Sequence, residues 1–308
     1  MNSNNNTLWV EKYRPDTLEG YIGNDVIVGK MKTYIEGGDI PHLLLYGRAG
    51  TGKTTLAKII INNIDCDHMY INASDENNVE TVRTKIRDFA SSIGFRKYKV
   101  IILDESDYLT PNAQAALRNL METFSKTTRF ILTCNYVEKI IDPIQSRCQV
   151  FGITPPSQKD VAMRLKYICD SEMVGNGPGY APALVQIVQS TYPDIRRAIN
   201  GLQRQIVDGR LVIDKASLLE VDYMNKVLEE LKGSRKFNTI RQIIADSQVK
   251  TFEDLYKFLF DNIDEYAGPK VSNCIVIIAE AQYQDTFVVD KEINIMAMFS
   301  KIITTLEN

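Results

Sequence analysis

The 308-residue sequence has few of the residues that build metal centres or disulfide frameworks. It contains two histidines, and its five cysteines are scattered without a CxxC pair. That odd, scattered set argues against a disulfide framework and a structural zinc site, and it favours a reducing compartment. No apolar run approaches the roughly 20 residues that would span a bilayer, and the N-terminus is polar. We therefore expect a protein that is neither secreted nor embedded in a membrane.

Net charge is also small. The chain has 36 Lys and Arg residues against 39 Asp and Glu residues, which gives a formal charge of −3. A mildly acidic whole argues against a histone-like protein that binds nucleic acid by charge alone. Residues 83–99 depart from this average, because six basic side chains stand there against the single acid Asp88, a local charge of +5.

Short apolar segments alternate with helical patterns from about residue 43 to residue 151. Four segments are apolar without alternation and rich in branched residues, as in strands buried on both faces of a parallel sheet: 42–46, 68–71, 100–103 and 129–133. Between the last two, the spacing of apolar residues predicts a helix over 112–124, which Thr110 and Pro111 open with a cap and a first-turn proline. The alternation predicts an α/β fold with a doubly wound parallel sheet.

The rest of the chain predicts helices. Pro155-Pro156 breaks the α/β pattern, and no strong strand follows it. The length of the chain exceeds one comfortable hydrophobic core. We expect three domains: an α/β domain over 1–154, a small helical domain over 155–221 and an all-α domain over 222–308.

A phosphate-binding loop follows the first predicted strand. Gly47-Arg-Ala-Gly-Thr-Gly-Lys-Thr54 fits the pattern G-x-x-x-x-G-K-[ST] at every fixed position, and an apolar helix follows it. The glycines let backbone N–H groups close round phosphates, and the helix N-terminus adds the positive end of its dipole. Lys53 can then reach the β- and γ-phosphates, and the Thr54 hydroxyl can ligate Mg²⁺. The loop predicts a nucleoside triphosphate site.

Two carboxylates supply the second half of that site. The buried strand 100–103 carries Asp104 and Glu105 to its carboxyl end, where ligands of α/β proteins bind. Asp104 is expected to hold Mg²⁺ directly or through water, and Glu105 is placed to activate the attacking water. A glutamate directly after the aspartate separates this chain from nucleotide kinases and most small GTPases.

Two further strings are more specific than the phosphate loop. Trp9-Val-Glu-Lys-Tyr-Arg-Pro15 precedes the α/β region, and Gln145-Ser-Arg-Cys148 stands near its end. With the loop and Asp104-Glu105, they resemble the small ATPase subunits of sliding-clamp loaders, the AAA+ group of replication factor C and its phage counterparts. The resemblance covers most of residues 7–205. It departs from the family at Arg48-Ala49, where a Pro-containing pair is usual, and this puts only subunit-specific detail in doubt.

The resemblance implies the remaining site residues. Asn135 matches a sensor of the γ-phosphate or the lytic water. Arg147 matches an arginine finger that enters the neighbouring subunit's site. Arg196 matches a second sensor, with Arg197 as the alternative. Asn72 is left open between a nucleotide-sensing switch and a helix cap. The residues implied to bind ATP are Val10, Tyr13, Arg14, Pro15, Gly47, Gly50, Thr51, Gly52, Lys53, Thr54, Thr55, Asn135 and Arg196. Thr54 and Asp104 are implied to bind Mg²⁺. The implied catalytic residues are Glu105, Arg147, Asn135 and Lys53.

DNA contact is also implied by the resemblance. It places the helix that carries Arg83 and Arg87 along a duplex backbone, with Lys85 on its opposite edge as a weaker candidate. Such phosphate contacts bind without reading sequence. On spacing alone, a solvated charged face is the alternative. The helix 112–124 resembles the family's clamp-facing element, although its apolar stripe also fits a core position.

The function implied is that of an AAA+ clamp-loader ATPase with a helical lid (155–221) and a helical collar (222–308) that holds a ring of subunits together. Its expected ligands are ATP and Mg²⁺, and its expected partners are other loader subunits in a pentameric assembly, the sliding clamp and primer–template DNA. A homotetramer with a separate fifth subunit and a heteropentamer are both open. A catalytically silent scaffold subunit and a branch-migration motor are the alternatives. A cytoplasmic location, prokaryotic or in a phage-infected cell, is favoured over a nuclear one.

Overall fold

The computed structural model describes residues 8–175, 180–207, 209–211, 215–247, 249 and 251–307. The chain forms two compact units, residues 1–212 and 213–308. Within the described ranges, no helix combines the length and the apolar character needed to cross a membrane. The division of the first unit at residue 154 stays a prediction.

A five-stranded parallel sheet is the centre of the first unit, with the order β2-β3-β4-β1-β5. Its strands are β1 (Leu43–Tyr46), β2 (Cys66–Asn72), β3 (Tyr98–Asp104), β4 (Thr128–Cys134) and β5 (Gln149–Gly152). The four predicted strands are confirmed, and β2, β3 and β4 each extend one or two residues beyond the apolar segment at both ends. β5 was not predicted, because this edge strand exposes Gln149 and Val150 and lacks a continuous apolar run.

Side chains of the central strands alternate between two cores. Leu43 and Leu45 pack on one face of the sheet with the helix that follows the phosphate loop. Leu44 packs on the opposite face, in the cluster that contains Leu117 and Phe130. A strand with both faces buried is apolar without alternation, and this confirms the doubly wound arrangement.

The helices of the first unit lie between and after the strands. They are α1 (Trp9–Lys12), α2 (Asp25–Gly37), α3 (Lys53–Asn62), α4 (Val79–Thr81), α5 (Arg87–Ser91), α6 (Pro111–Thr123), α7 (Asp142–Gln145), α8 (Gln158–Ser171), α9 (Tyr180–Thr191) and α10 (Ile195–Arg204). A π-helical stretch, Val82–Ile86, joins α4 to α5. The start of α6 is as predicted: the Thr110 hydroxyl accepts a hydrogen bond from the Ala113 amide, and Pro111 occupies the first turn.

Helices α8, α9 and α10 lie in the range predicted to be the lid, and we refer to them as the lid helices. They share a core, and the start of the described chain packs against it. Leu165, Ile187 and Leu202 are buried in it, and Trp9 and Tyr13 of the N-terminal segment pack against it. A short antiparallel pair, β6 (Ile206–Val207) and β7 (Arg210–Leu211), comes after α10.

The second unit is helical and has its own core. Its helices are α11 (Lys215–Lys232), α12 (Phe237–Ser247), α13 (Glu253–Asp261), α14 (Val271–Asp285) and α15 (Lys291–Glu307). Leu231, Tyr256, Leu259 and Phe299 are among the side chains buried in this core. The helical C-terminal region predicted from the sequence is confirmed.

Candidate functional site

Parallel strands bring the loops of the site to one edge of the sheet. The phosphate-binding loop follows β1, Asp104 ends β3, and Asn135 follows β4. The loop needs glycine at position 50, where φ is +74° and a Cβ would lie 2.0 Å from Asp194 Oδ1. Gly52 has a φ of +98° and precedes α3 as its N-cap. The loop amides therefore form a glycine-lined cradle against a helix N-terminus, which suits phosphate.

Lys53 lies in the cradle with its ammonium fully engaged. Its Nζ donates hydrogen bonds of 2.8 Å to the carbonyl oxygens of Gly47 and Arg48 and to Asn135 Oδ1. Burial lowers the pKa of Lys53, while Asp104 and Asp107 act in the opposite direction. A buried ammonium held only by neutral acceptors is a site where a negatively charged ligand is favoured.

Three hydroxyls surround the Asp104 carboxylate. Thr54 donates to both of its oxygens, at 2.8 Å to Oδ1 and 3.0 Å to Oδ2, Thr133 donates to Oδ1, and Tyr70 donates to Oδ2 at 2.6 Å. Burial, followed by the hydrogen bond to Asp104, raises the pKa of Tyr70, so its phenol is the donor. Hydroxyl and carboxylate oxygens are the ligands that Mg²⁺ prefers, and Thr54 and Asp104 supply both.

Glu105 occupies a left-handed backbone conformation with φ +55°. Its amide donates to Thr133 Oγ1 at 3.1 Å, and its side chain lines the same pocket as Lys53. Non-glycine residues in this conformation are uncommon and concentrate at functional sites. The carboxylate is thus presented beside Asp104 by a constrained backbone.

Asn135 is fixed at both ends. Its side-chain oxygen accepts from Lys53, and its backbone amide lies 3.3 Å from Asp107 Oδ2, which also accepts from the Tyr136 amide at 3.4 Å. Asp107 is buried, and among the described residues its Oδ1 has no hydrogen-bond partner. Asp107 lies three residues after Asp104 and belongs to no motif in the sequence, so only the fold identifies it.

The N-terminal segment forms the wall of the pocket that faces the lid. Arg164 on α8 donates to the Tyr13 carbonyl at 2.6 Å, and the Tyr13 hydroxyl donates to Glu172 at 2.7 Å. Lys12 pairs with the same carboxylate at 2.6 Å. The N-terminal segment that the resemblance assigns to the ATP site is therefore attached to α8 by hydrogen bonds as well as by its apolar side chains.

The lid also contacts the phosphate-binding loop directly. The Ile195 amide donates to the Gly50 carbonyl at 3.3 Å, and the Asp194 side chain caps α10 by accepting from the Arg197 amide at 3.0 Å. Arg196, in the first turn of α10, lines the pocket, whereas Arg197 is not one of the described residues that do. The geometry thus favours Arg196 over Arg197 as the residue that faces the loop.

One pocket unites most of the predicted site. It is lined by Val10, Tyr13, Arg14, Pro15, Gly50, Thr51, Gly52, Lys53, Thr54, Thr55, Asp104, Glu105, Asn135 and Arg196. It is also lined by residues that the sequence analysis missed, including Tyr21, Ile22, Arg164, Ile195 and Ile199. These side chains belong to no short motif, so only the fold identifies them. Gly47 does not line the pocket. It lies next to it, since its carbonyl oxygen accepts a hydrogen bond from Lys53.

Arg147 lies apart from this pocket. It comes shortly after α7, where its guanidinium pairs with Glu122 and donates to the Pro143 carbonyl at 2.6 Å. About a third of its side chain is exposed. Arg147 therefore does not line the pocket of its own chain. This position is compatible with a residue that acts on a neighbouring subunit.

Arg83 and Arg87 share a groove with α6. The other residues that line this groove are Val79, Asn112, Ala115, Ala116, Arg118, Asn119 and Leu120. Lys85 instead pairs with Glu76 at 2.6 Å. Arg118 adds a third guanidinium that the sequence analysis did not select, because it lies 31 positions beyond Arg87 in the sequence. The groove combines cations with amides, a set suited to phosphate oxygens.

The local charge of +5 is not a single surface. Lys99 is 5% exposed, and its ammonium donates to the carbonyl oxygens of Phe89 and Ala90 and to Ser92 at the end of α5. Arg96 pairs with Asp65, and Lys97 lies over the Tyr98 ring. Only part of the charge counted along the sequence is therefore available to a ligand.

Comparison with known proteins gives consistent matches. Residues 43–155 match the family "ATPase family associated with various cellular activities (AAA)". The replication factor C small subunit of Archaeoglobus fulgidus is 39% identical over 272 residues, which cover 83% of this chain and 84% of that protein. The replication factor C small subunit of Thermofilum pendens is 33% identical over 314 residues, 96% of each chain. For the Haloarcula marismortui relative, at 44% identity, the match spans 68% of this chain and 65% of the relative's length.

Solved structures show the same fold at lower identity. The RuvB Holliday junction branch migration motor of Thermotoga maritima aligns with a TM-score of 0.56 and 18% identity, over 81% of this chain and 91% of that one. At this identity the likeness concerns the fold alone.

Proposed function

The chain belongs to the replication factor C small subunits, a group of AAA ATPases, and from that premise we propose that it is an ATP-hydrolysing subunit of a sliding-clamp loader. The observation that carries the proposal is the convergence of Lys53, Thr54, Asp104 and Glu105 on one pocket. A catalytically silent scaffold subunit is not favoured, since it would have no use for this complete set. A branch-migration motor is not favoured either, because the relatives that share sequence are clamp-loader subunits.

Each group in the pocket has a chemical task in hydrolysis. Lys53 binds the β- and γ-phosphates once its ammonium exchanges neutral acceptors for phosphate oxygens. Thr54 and Asp104 would hold Mg²⁺, which when bound neutralises charge on the phosphates. Glu105 accepts a proton from the attacking water, and Asn135 donates its amide hydrogens to the γ-phosphate or that water.

A second subunit completes the reaction. Arg147 does not line its own chain's pocket, and we assign it to the stabilisation of transition-state charge in a neighbour's site once it exchanges Glu122 for phosphate oxygens. Arginine fingers of this kind contribute roughly 10³–10⁵ in rate. This role requires an oligomer, which we propose is the pentameric assembly, either a homotetramer with a fifth subunit or a heteropentamer. The helical second unit is proposed as its collar.

DNA and clamp have separate candidate surfaces. The groove with Arg83, Arg87 and Arg118 suits the phosphate backbone of primer–template DNA. The side chains of Ile93 and Phe95 are 93% and 97% exposed, the largest values among the large apolar residues described in the first unit. Exposed apolar side chains that lie close together mark protein-binding sites, and we propose the loop with Ile93 and Phe95 as the clamp contact. The helix α6, predicted to face the clamp, buries its apolar stripe in the core.

The test is the ATPase rate of the full assembly with and without primed DNA plus the cognate clamp. We expect stimulation by the two ligands together, and an unchanged rate would refute the loader function. Arg147→Ala should reduce turnover by roughly 10³-fold or more while ATP binding is retained. Glu122→Gln removes the negative charge that pairs with Arg147 and keeps the guanidinium, so it is the control and should keep its turnover. Loss of ATP binding in Arg147→Ala would show that its role is not in the neighbour's site.

A further inference from the structure

A tyrosine outside every predicted motif contacts the carboxylate at the centre of the site. Tyr70 lies on β2, the edge strand, whose register with β3 sets Asn72 opposite Asp104. Residues two apart on a strand share a face, so Tyr70 and Asn72 project from the same side of the sheet. From there the phenol reaches Asp104 Oδ2 at 2.6 Å, and Lys58 lies 5.3 Å from the centre of the Tyr70 ring.

The three hydroxyls on Asp104 are not equivalent. Thr54 is itself expected at the metal, and Thr133 contacts only Oδ1. Tyr70 donates to Oδ2 at 2.6 Å from a third element of the fold, and a hydrogen bond to an ionised carboxylate is stronger than one between neutral groups. Tyr70 is 43% exposed and belongs to no core cluster of the first unit, so core packing does not account for the way its hydroxyl is directed at the site.

We propose that Tyr70 is a positioning residue that holds Asp104 Oδ2 in the orientation needed to bind Mg²⁺ in the ATP site. The inference rests on the ATPase function proposed above. Hydrogen-bond partners of ligating carboxylates fix the orientation of the ligand, and their removal costs roughly 10–100-fold in metal affinity. Tyr70 therefore sets how much Mg²⁺ the site requires, and it does so without touching the nucleotide.

Tyr70→Phe is the informative variant, because it removes the hydroxyl and keeps the ring that Lys58 contacts. Binding of a fluorescent ATP analogue by the full chain is measured first in EDTA and then during a Mg²⁺ titration. Mn²⁺ binding in the presence of a non-hydrolysable ATP analogue is measured separately by EPR. We expect unchanged binding in EDTA, and a rise of about 10-fold or more in the Mg²⁺ half-saturation and in the Mn²⁺ dissociation constant. Tyr108→Phe, at another exposed tyrosine of the first unit, is the control and should match the parent protein.

The outcomes separate this role from the proposed function. Equal Mg²⁺ half-saturation in Tyr70→Phe and the parent would overturn the positioning role and leave the ATPase function standing. A parent protein without Mg²⁺-dependent nucleotide binding would instead contradict the ATPase function itself. Weaker binding of Tyr70→Phe in EDTA would also overturn the role, because the hydroxyl would then support the pocket rather than the metal ligand.

Discussion

At the residue scale, the half-buried His42 must stay uncharged for the fold to keep one of its hydrogen bonds. His42 immediately precedes β1, and its Nδ1 accepts a hydrogen bond from the Phe130 amide at 3.1 Å. Burial, with the neighbouring positive charge of Arg129 as a second cause, lowers the pKa of His42 to about 4. A protonated ring could not accept that hydrogen bond, so the fold requires the neutral form.

His42 should make the fold sensitive to acid. The unfolded state binds the proton with a pKa of 6.5 and the folded state with a pKa of about 4, so the free energy of unfolding falls as the pH drops from 6.5 towards 4. The loss amounts to about 3 kcal/mol at the lower limit. Urea unfolding of the parent and of His42→Asn across this range measures it. The variant keeps an acceptor without the titration, so equal pH slopes in both proteins would contradict the assignment.

At the residue scale, sequence reasoning found what short motifs encode. Lys53, Thr54, Asp104 and Glu105 are adjacent to strand ends in a fixed pattern, and the structure brings them together. It missed Tyr70 and Arg164, which reach the site from a strand face and a lid helix. Their contribution depends on which elements are neighbours in space, and no spacing along the chain records that.

At the scale of elements, basic residues of one sequence stretch have opposite tasks. Lys99 supplies charge to the C-terminal end of α5, where its ammonium satisfies carbonyl oxygens that the helix leaves unpaired. Arg83 and Arg87 face the groove beside α6 instead. Charge counting along the sequence cannot separate these tasks, since it ignores the direction of each side chain.

Substitutions should separate the two tasks. Lys99→Met should lower the free energy of unfolding by about 1–3 kcal/mol, because buried carbonyl oxygens lose a charged donor, and it should leave DNA affinity unchanged. Arg83→Ala combined with Arg87→Ala should leave the free energy of unfolding unchanged and weaken DNA binding. It should also reduce the slope of log affinity against log salt concentration by about one or two. Denaturant unfolding and DNA titrations at several salt concentrations provide both readouts. A loss of DNA affinity in Lys99→Met, measured under conditions where the variant is folded, would refute the assignment of Lys99 to stability alone.

The sequence predicted the strands whose residues are buried on both faces of the sheet, and it missed the exposed edge strand and the change of helical type. The apolar runs of β1, β3 and β4 identify central strands, because both of their faces are covered. β5 is an exposed edge. The π-helical stretch Val82–Ile86 lies among core residues (Val79, Val82, Ile86 and Phe89) whose three- and four-residue spacing is that of an ordinary α-helix. Local patterns report burial, and they report neither edges nor changes of helical type.

At the scale of the whole molecule, the two units have separate cores and only one contains the nucleotide pocket. Every described residue that lines this pocket belongs to the first unit. A ligand stabilises the unit that binds it, by about 2.7 kcal/mol at a concentration of 100 times its dissociation constant.

Calorimetry should therefore resolve two unfolding transitions that respond differently to nucleotide. Addition of Mg²⁺ and a non-hydrolysable ATP analogue should raise the midpoint of the transition of residues 1–212 by several degrees and leave that of residues 213–308 in place. A Lys53→Ala chain serves as the control and should show no shift. A single transition that moves as a whole would show that the two units unfold cooperatively.

The packing of α1 against the lid core also has a consequence for synthesis of the chain. Trp9 and Tyr13 leave the ribosome early, yet the side chains that cover them belong to residues up to Leu202. At roughly 5–20 residues per second, the first helix waits on the order of ten to forty seconds for its partners. During that interval two aromatic rings are exposed on the nascent polypeptide, and the nucleotide pocket cannot close. The complete pocket, with its N-terminal wall and Arg196, thus forms only after α10 has been synthesised.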